Sequence, residues 1–572
     1  MQTKTCTQCS QKFKITDDDL IFYKKISPTF DSRTFKIPAP TLCPKCREIQ
    51  RLAWRNEQSL YKRKCDKTGR NIISMFSTDK TDYKIYETEE WWRDDWDAIE
   101  FATEFDPQRS FFEQFNELVH RVPRNSLMNT NTVNCKFSNY IAETKDCYMC
   151  FTTYYNSEKM IYSKDVHYSK NSVDCLFVDH IENCYECLTT SASYGCKYSI
   201  RLNNCRDCCF SIDLVGCSDC LLCSNLNRKQ YYIKNKKYTK EEYKKKLKEY
   251  NFGSHATIEE LQKEFQTMRD NSFVKYSNQI QCENCQGDDL LECKNARMIF
   301  AGTRVEDSKY SVRSVDVKNC LDVMGGSVEW CYFGNNLGYG SNIIFSSNNL
   351  YCGFNIYCDN CYHSKNCFGC VGLRNKQYCV LNWQYTKEEY EKKVVEIIER
   401  MIEDKEWGEY FPMSVTPFGY NETMGLLYYP QTKEEVVARG GKWQDNDYSL
   451  KHDESFYVPK DNISSYQDES ERKELLSGIL KCEKTGKPFK IVPQELAFYL
   501  EQNIPVPRRH YDVRFDDRFH RRNRFVLYDR KCMCVESGHD HNGRCKNEFE
   551  TTYAPDRPEK VYCEKCYQKE VV

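Results

Sequence analysis

The chain has 572 residues, enough for several domains, and its 40% hydrophobic and 29% charged residues let each bury a core and exclude long disorder. With 83 basic against 84 acidic residues the net charge is −1, which excludes a general polyanion binder. The outliers are 35 Cys and 41 Tyr, far more than core filling requires.

The opening Met1-Gln-Thr-Lys-Thr-Cys-Thr-Gln-Cys9 shows no apolar leader, and no run of about 18 apolar residues exists to span a membrane. The expected setting is cytoplasmic, with no membrane partner. Thiols are then reduced, and metal sites are favoured over a disulfide framework.

In chain order, residues 1–98 read as a double zinc-finger module. Cys6-x-x-Cys9 and Cys43-Pro-Lys-Cys46 supply four thiolates at tetrahedral spacing, with the second pair opening a helical pattern. A second finger starts at Cys65-Asp-Lys-Thr-Gly but has Glu87 and Glu90 where a second pair belongs, so it is expected to lack metal. Residues 99–134 form a helical connector, with an amphipathic helix over 101–124.

Residues 135–235 carry the repeat. Cys135/147, Cys175/187, Cys184/196/208/220 and Cys205/217 recur at twelve or multiples of twelve. Short β-branched or aromatic runs alternate with Asn, Asp, Ser and Gly, which predicts a Cys-rich parallel β-solenoid. Residues 236–275 are a helical insert, with an amphipathic helix over about 253–270. Residues 276–383 are a second, looser solenoid half. Cys220, Cys223, Lys229-Gln-Tyr231 and Tyr238-Thr-Lys-Glu-Glu-Tyr243 return there as Cys367, Cys370, Lys376-Gln-Tyr378 and Tyr385-Thr-Lys-Glu-Glu-Tyr390. Each T-x-x-E (Thr239/Glu242, Thr386/Glu389) is a capping box opening a charged helix. The central cysteines admit three readings: buried ladders, further zinc or iron–sulfur sites, or redox or disulfide ladders.

Residues 384–475 are read as a helix (386–404) followed by an irregular linker or wrapping segment. Residues 476–572 repeat the N-terminal module: Arg55-Asn-Glu-Gln-Ser-Leu-Tyr-Lys-Arg-Lys-Cys65 matches Arg522-Asn-Arg-Phe-Val-Leu-Tyr-Asp-Arg-Lys-Cys532. Here the first finger, Cys482-Glu-Lys-Thr-Gly486 with Arg509-His510-Tyr511, is expected to lack metal. The second binds through Cys563 and Cys566 with Cys545 and either Cys532 or Cys534. His539 and His541 read as loop filler, with a His in place of a Cys ligand as the alternative. The expected cofactor is structural Zn²⁺, about two per chain.

Arg508 to Lys531 holds eight Arg, one Lys and four Asp among aromatics. Arg521, Arg522 and Arg524 are the candidate nucleic-acid contacts, against a solvated helix face as the plainer reading. No phosphate-binding loop, H-E-x-x-H or G-x-S-x-G occurs, so no enzyme and no small-molecule substrate are expected.

The CxxC…CPxC finger, R-N-x₃-L-Y-x-R-K-C, Trp91-Trp-x-Asp-x-Trp-Asp97, the cysteine repeats, Trp407-Gly-Glu-x-Phe-Pro-Met-Ser414 and the closing Y-C-E-K-C-Y carry a likeness over essentially the whole chain. The sequence resembles the Cys-rich treble-clef/zinc-ribbon proteins of small-genome candidate-phylum bacteria. That likeness implies zinc fingers and brings no activity with it. Some relatives carry a CaiB/BaiF acyl-CoA transferase label, but this chain lacks the βαβ periodicity of those enzymes. The fold class expected is therefore multidomain and mainly β, with two Cys-rich parallel β-solenoid-like halves flanked by treble-clef/zinc-ribbon modules and short helical inserts. The function expected is a non-enzymatic zinc-binding scaffold whose repeat face meets an unknown protein partner. The alternatives are a nucleic-acid or ribosome-associated binder and a thiol-rich metal-storage or redox protein.

Overall fold

The computed structural model describes residues 1–448, 452 and 455–571, so residues 449–451, 453 and 454 of the expected linker, and 572 of the C-terminal module, lie outside the described residues. The chain divides into two units, each drawn from two distant segments. Unit 1 comprises Met1–Leu127 and Ser277–Asn446, and unit 2 comprises Met128–Tyr276 and Asp447–Val572. The N-terminal module thus shares a unit with the second repeat half, and the C-terminal module with the first.

Both repeats are parallel β-solenoids. In unit 2 Ile200 aligns with Ile212 and Leu202 with Leu214, and in unit 1 Ser347 aligns with Asp359 and Asn349 with Cys361. The backbone explains the twelve-residue period. A left-handed residue falls at every third position, as in Asn171, Asp174, Phe177, His180, Asn183, Glu186, Thr189 and Ala192. Four such corners close each turn. Asn and Asp tolerate this region best, which accounts for their abundance between the short strands.

A side of three residues sends one side chain inward. The inward file in unit 2 runs Cys205, Cys208, Ser211, Leu214, Cys217, Cys220, Cys223 and Leu226, all buried. So narrow an interior admits small residues, and free Cys behaves as a small hydrophobe. Inward serines satisfy themselves: Ser163 Oγ donates to the Ile161 carbonyl at 2.9 Å and accepts the Cys175 N–H, twelve residues on, at 3.0 Å. Corner side chains face outward and stack along the repeat, as Tyr339–Tyr351–His363 (4.9 and 4.7 Å) and Tyr155–Tyr168–His180 (5.1 and 4.6 Å). These ladders account for part of the tyrosine excess.

The second half reads more loosely because some of its turns are short. Gln286 pairs with Arg297 but Gly287 with Ile299, and the register shifts again at Met324/Gly325. A Cβ on Gly325 (φ 141°) would lie 2.0 Å from the Leu337 carbonyl oxygen, so only glycine fits there.

The expected helices form, shorter than expected at 101–124: Phe111–Arg121, His255–Asn271 and Lys387–Glu403, with Lys240–Leu247 after the first half. Both capping boxes are made. The part of the linker within unit 1 wraps the N-terminal module, where Met413, Tyr420 and Val436 pack on Ile49 and Ala53.

The same contact joins module to solenoid in each unit. In unit 1, Arg47 and Arg51 of the Pro44–Leu52 helix both reach Asp322 at 2.8 Å. In unit 2, Arg514 and Arg518 of the Tyr511–Arg521 helix reach Asp174 at 2.9 and 2.7 Å. All six side chains are buried. Tyr23 packs on Tyr332 as Tyr499 packs on Tyr185. Each unit is a copy of one design.

Candidate metal centres

Among the described residues, four hairpin-plus-helix motifs occur, two per module. The hairpins pair Gln2–Thr5 with Lys12–Ile15, Tyr61–Lys64 with Asn71–Ser74, Leu480–Lys481 with Pro488–Phe489, and Tyr528–Lys531 with Glu548–Thr551. In the first three turns a cysteine N–H donates to the carbonyl five residues on: Cys6 to Gln11, Cys65 to Arg70 and Cys482 to Lys487. In the fourth, Cys532 donates to Asn547, so ten extra residues sit inside an otherwise identical turn.

Each motif ends in a helix whose N-cap and third helical residue face the hairpin turn. These positions are Cys43 and Cys46, Glu87 and Glu90, His510 and Val513, and Cys563 and Cys566. Two motifs therefore converge four thiols: Cys6, Cys9, Cys43 and Cys46 in the first, and Cys532, Cys545, Cys563 and Cys566 in the last. Within each set the sulfurs lie within 4.8 Å of one another. Tetrahedral zinc with Zn–S near 2.3 Å needs thiolates about 3.8 Å apart. Cys9–Cys43 at 3.7 Å and Cys545–Cys563 at 4.0 Å match that spacing. Both sets could hold a metal ion. At the helix start the Cys46 thiol donates to Cys43 and brings it down to about 5 against burial, so one ligand is readily a thiolate. Burial opposes ionisation of Cys563 too, but the Asn547 amide and the Cys566 backbone bring it to about 7.

Of the two positions left open in sequence, Cys532 joins the four-thiol set. Cys534 lies instead with His539 and His541. The structure places these histidines beside sulfur rather than in open loop: His539 Nδ1 lies 3.2 Å from Cys534 Sγ, and His541 Nε2 lies 3.5 Å from Cys566 Sγ.

The other two motifs hold charge or apolar contacts in place of thiols. Arg70 bridges Glu87 and Glu90, each at 2.8 Å, and Lys67 lies 3.6 Å from Glu90. Cys65 accepts the Glu87 N–H at 3.3 Å. In the C-terminal counterpart Val513 offers no donor, and His510 packs on Phe489 with its pKa held down to about 4, chiefly by burial.

Apart from the half-buried Cys209, the central cysteines occupy the inward file as unbonded thiols. Their sulfurs point at the carbonyl two residues back, as in Cys187 to Tyr185 (3.6 Å) and Cys358 to Ile356 (3.5 Å). Burial pushes Cys187, Cys320 and Cys361 well up. Burial would raise Cys358 likewise, but the Cys361 and Cys370 thiols donate to it and bring it to about 6. Among the described residues, the groups of three or more converging metal-ligand side chains include no central cysteine.

The basic stretch follows its plainer reading, a solvated helix face with the aromatics in the core, only in part: Arg509, Asp512 and Asp516 are exposed and Phe519 and Phe525 are buried, but some of its arginines turn inward. Arg514 and Arg518 are buried on Asp174, Arg521 lies 3.8 Å from Glu186, and Arg522 sits over Phe525 at 3.9 Å. Arg524 is exposed. The signal for this arrangement was the R-x-x-x-R spacing shared by Arg47/Arg51 and Arg514/Arg518, which a helix turns to one face. No helix of the described residues is long and apolar enough to cross a membrane. No protein-family model matches the chain and no curated protein matches it.

Proposed function

We propose that this chain is a non-enzymatic scaffold in which zinc, held in treble-clef fingers, fixes a module against each solenoid and the outer solenoid face is offered to a protein partner. The observation that carries this reading is the closure of the two four-thiol sets. Four protein ligands complete a tetrahedron and leave no position for water or substrate, as structural zinc requires and catalytic zinc does not allow.

The two fingers without a thiol set support the same role. Carboxylates tied to Arg70 and Lys67 in one, and a His510–Phe489 contact in the other, keep the hairpin and helix together. Charge pairing and packing can replace a structural ion, but they cannot replace a Lewis acid. The stacked Tyr339, Tyr351 and His363 ladder gives the repeat an outward aromatic stripe suited to protein contact.

The test is chelation of the full chain under anaerobic, reducing conditions. Zinc loss should lower the melting temperature by several degrees and zinc addition should restore it, with no hydrolase or transferase activity in either state. A melting temperature indifferent to metal removal would overturn the structural reading.

A further inference from the structure

The ten residues that enlarge the fourth hairpin turn have no apolar anchor. They include His539-Asp-His541 and Gly543, and Val535 beside them is exposed. A loop this polar gains little from burial and needs another constraint to hold a fixed shape. Yet it presents three donors, Cys534, His539 and His541, toward a sulfur that already belongs to the neighbouring four-thiol set, Cys566.

The imidazoles are oriented as ligands are. His541 Nδ1 donates to the Gly543 carbonyl at 2.8 Å, which leaves the Nε2 lone pair directed at Cys566. His539 Nε2 pairs with Glu570 at 2.9 Å, which leaves Nδ1 for the Cys534 side. A carbonyl or carboxylate behind a histidine is the outer-shell arrangement that fixes the tautomer of a metal-bound ring. Zn–S near 2.3 Å and Zn–N near 2.0 Å set a tetrahedral sulfur–nitrogen edge of about 3.5 Å. The two sulfur–nitrogen distances, 3.2 and 3.5 Å, lie close to it.

We propose that the C-terminal module holds a binuclear zinc centre, with Cys566 as a bridging thiolate. Cys532, Cys545, Cys563 and Cys566 bind one ion, and Cys534, His539, His541 and Cys566 bind the other. A lone zinc with four thiolates carries excess negative charge in a buried place. A second divalent cation on the shared sulfur offsets it and ties the inserted loop to the Glu564–Glu570 helix. The inference rests on the structural-zinc reading above and adds a third ion to it.

The test is zinc content of anaerobically purified full-length protein, wild type and His539→Ala/His541→Ala, together with cobalt substitution. The expected result is three zinc per wild-type chain and two in the variant. In the fully cobalt-loaded wild type, the thiolate-bridged pair should couple, so the cobalt EPR signal should fall well below that of three independent ions. If the variant loses both C-terminal ions through misfolding, the wild-type stoichiometry and cobalt coupling still decide. Two zinc in wild type and variant alike, with uncoupled cobalt, overturns the binuclear centre and leaves the scaffold reading standing. Fewer than two in wild type overturns both.

Discussion

The two units use one design and stabilise it differently. In unit 1 the finger nearest the solenoid contact has four thiols, and its Arg47/Arg51 helix starts at Cys43. In unit 2 the matching finger has Thr485, His510 and Val513 at the corresponding places, yet Arg514 and Arg518 meet Asp174 just as Arg47 and Arg51 meet Asp322. The metal-ligand set has been exchanged while the docking contact has stayed. A four-thiol set that could hold a metal and a packed core thus stand behind the same helix in the two units, and the buried arginine–aspartate contact is made in both.

The largest expected effect follows from that contact. Asp322→Ala or Asp174→Ala leaves two buried guanidinium groups without their carboxylate, at a cost of about 3–5 kcal/mol, read by chemical denaturation. A loss under 1 kcal/mol would show that the helices are held by something else. Next is Gly325→Ala, where a carbonyl blocks the Cβ; about 3 kcal/mol is expected from the strained backbone. Gly69→Ala, at a left-handed turn with open space, should cost less.

Acid should separate the units by a different route. His510 is buried neutral in the native state, with Lys487, Arg514 and Asp512 around it, and its pKa lies near 4 against about 6.5 unfolded. The unfolded chain therefore takes up a proton that the native one refuses. Unit 2 should lose stability as pH falls from about 6.5 toward 4, and His510→Asn should flatten that step in a pH series of melting curves. The smallest effect is expected at Arg70. Its side chain is half exposed, so Arg70→Met should cost about 1 kcal/mol or less, despite its two carboxylate partners.

Much of this was legible in the sequence, for identifiable reasons. Twelve-residue spacing revealed the solenoid because each turn repeats the same inward and corner positions. Apposed C-x-x-C pairs revealed the terminal thiol sets. The same C-x-x-C spacing inside the repeat has another origin: it marks inward residues on adjacent three-residue sides, as in Cys205/Cys208 and Cys220/Cys223. The distinction is visible only when Ser211 and Leu214 are seen in the same file. What stayed hidden depends on long-range pairing. Nothing local shows that Arg47 meets Asp322 rather than solvent, or that the N-terminal module shares a unit with the second repeat half. The ten-residue enlargement of the last turn likewise hid which of Cys532 and Cys534 belongs with Cys545. Shortened turns at Gly287 and Gly325 blurred the period of the second half.

Differential alkylation of the native full chain tests most directly whether the cysteines divide into terminal ligands and packed central thiols. Before chelation, Cys6, Cys9, Cys43, Cys46, Cys532, Cys545, Cys563 and Cys566 should resist labelling, and after chelation they should label rapidly. Cys187, Cys208, Cys358 and Cys370 should stay protected in both states until the solenoid itself unfolds. Central cysteines that become reactive on metal removal, with the β-structure intact, would contradict the account by placing metal inside the repeat.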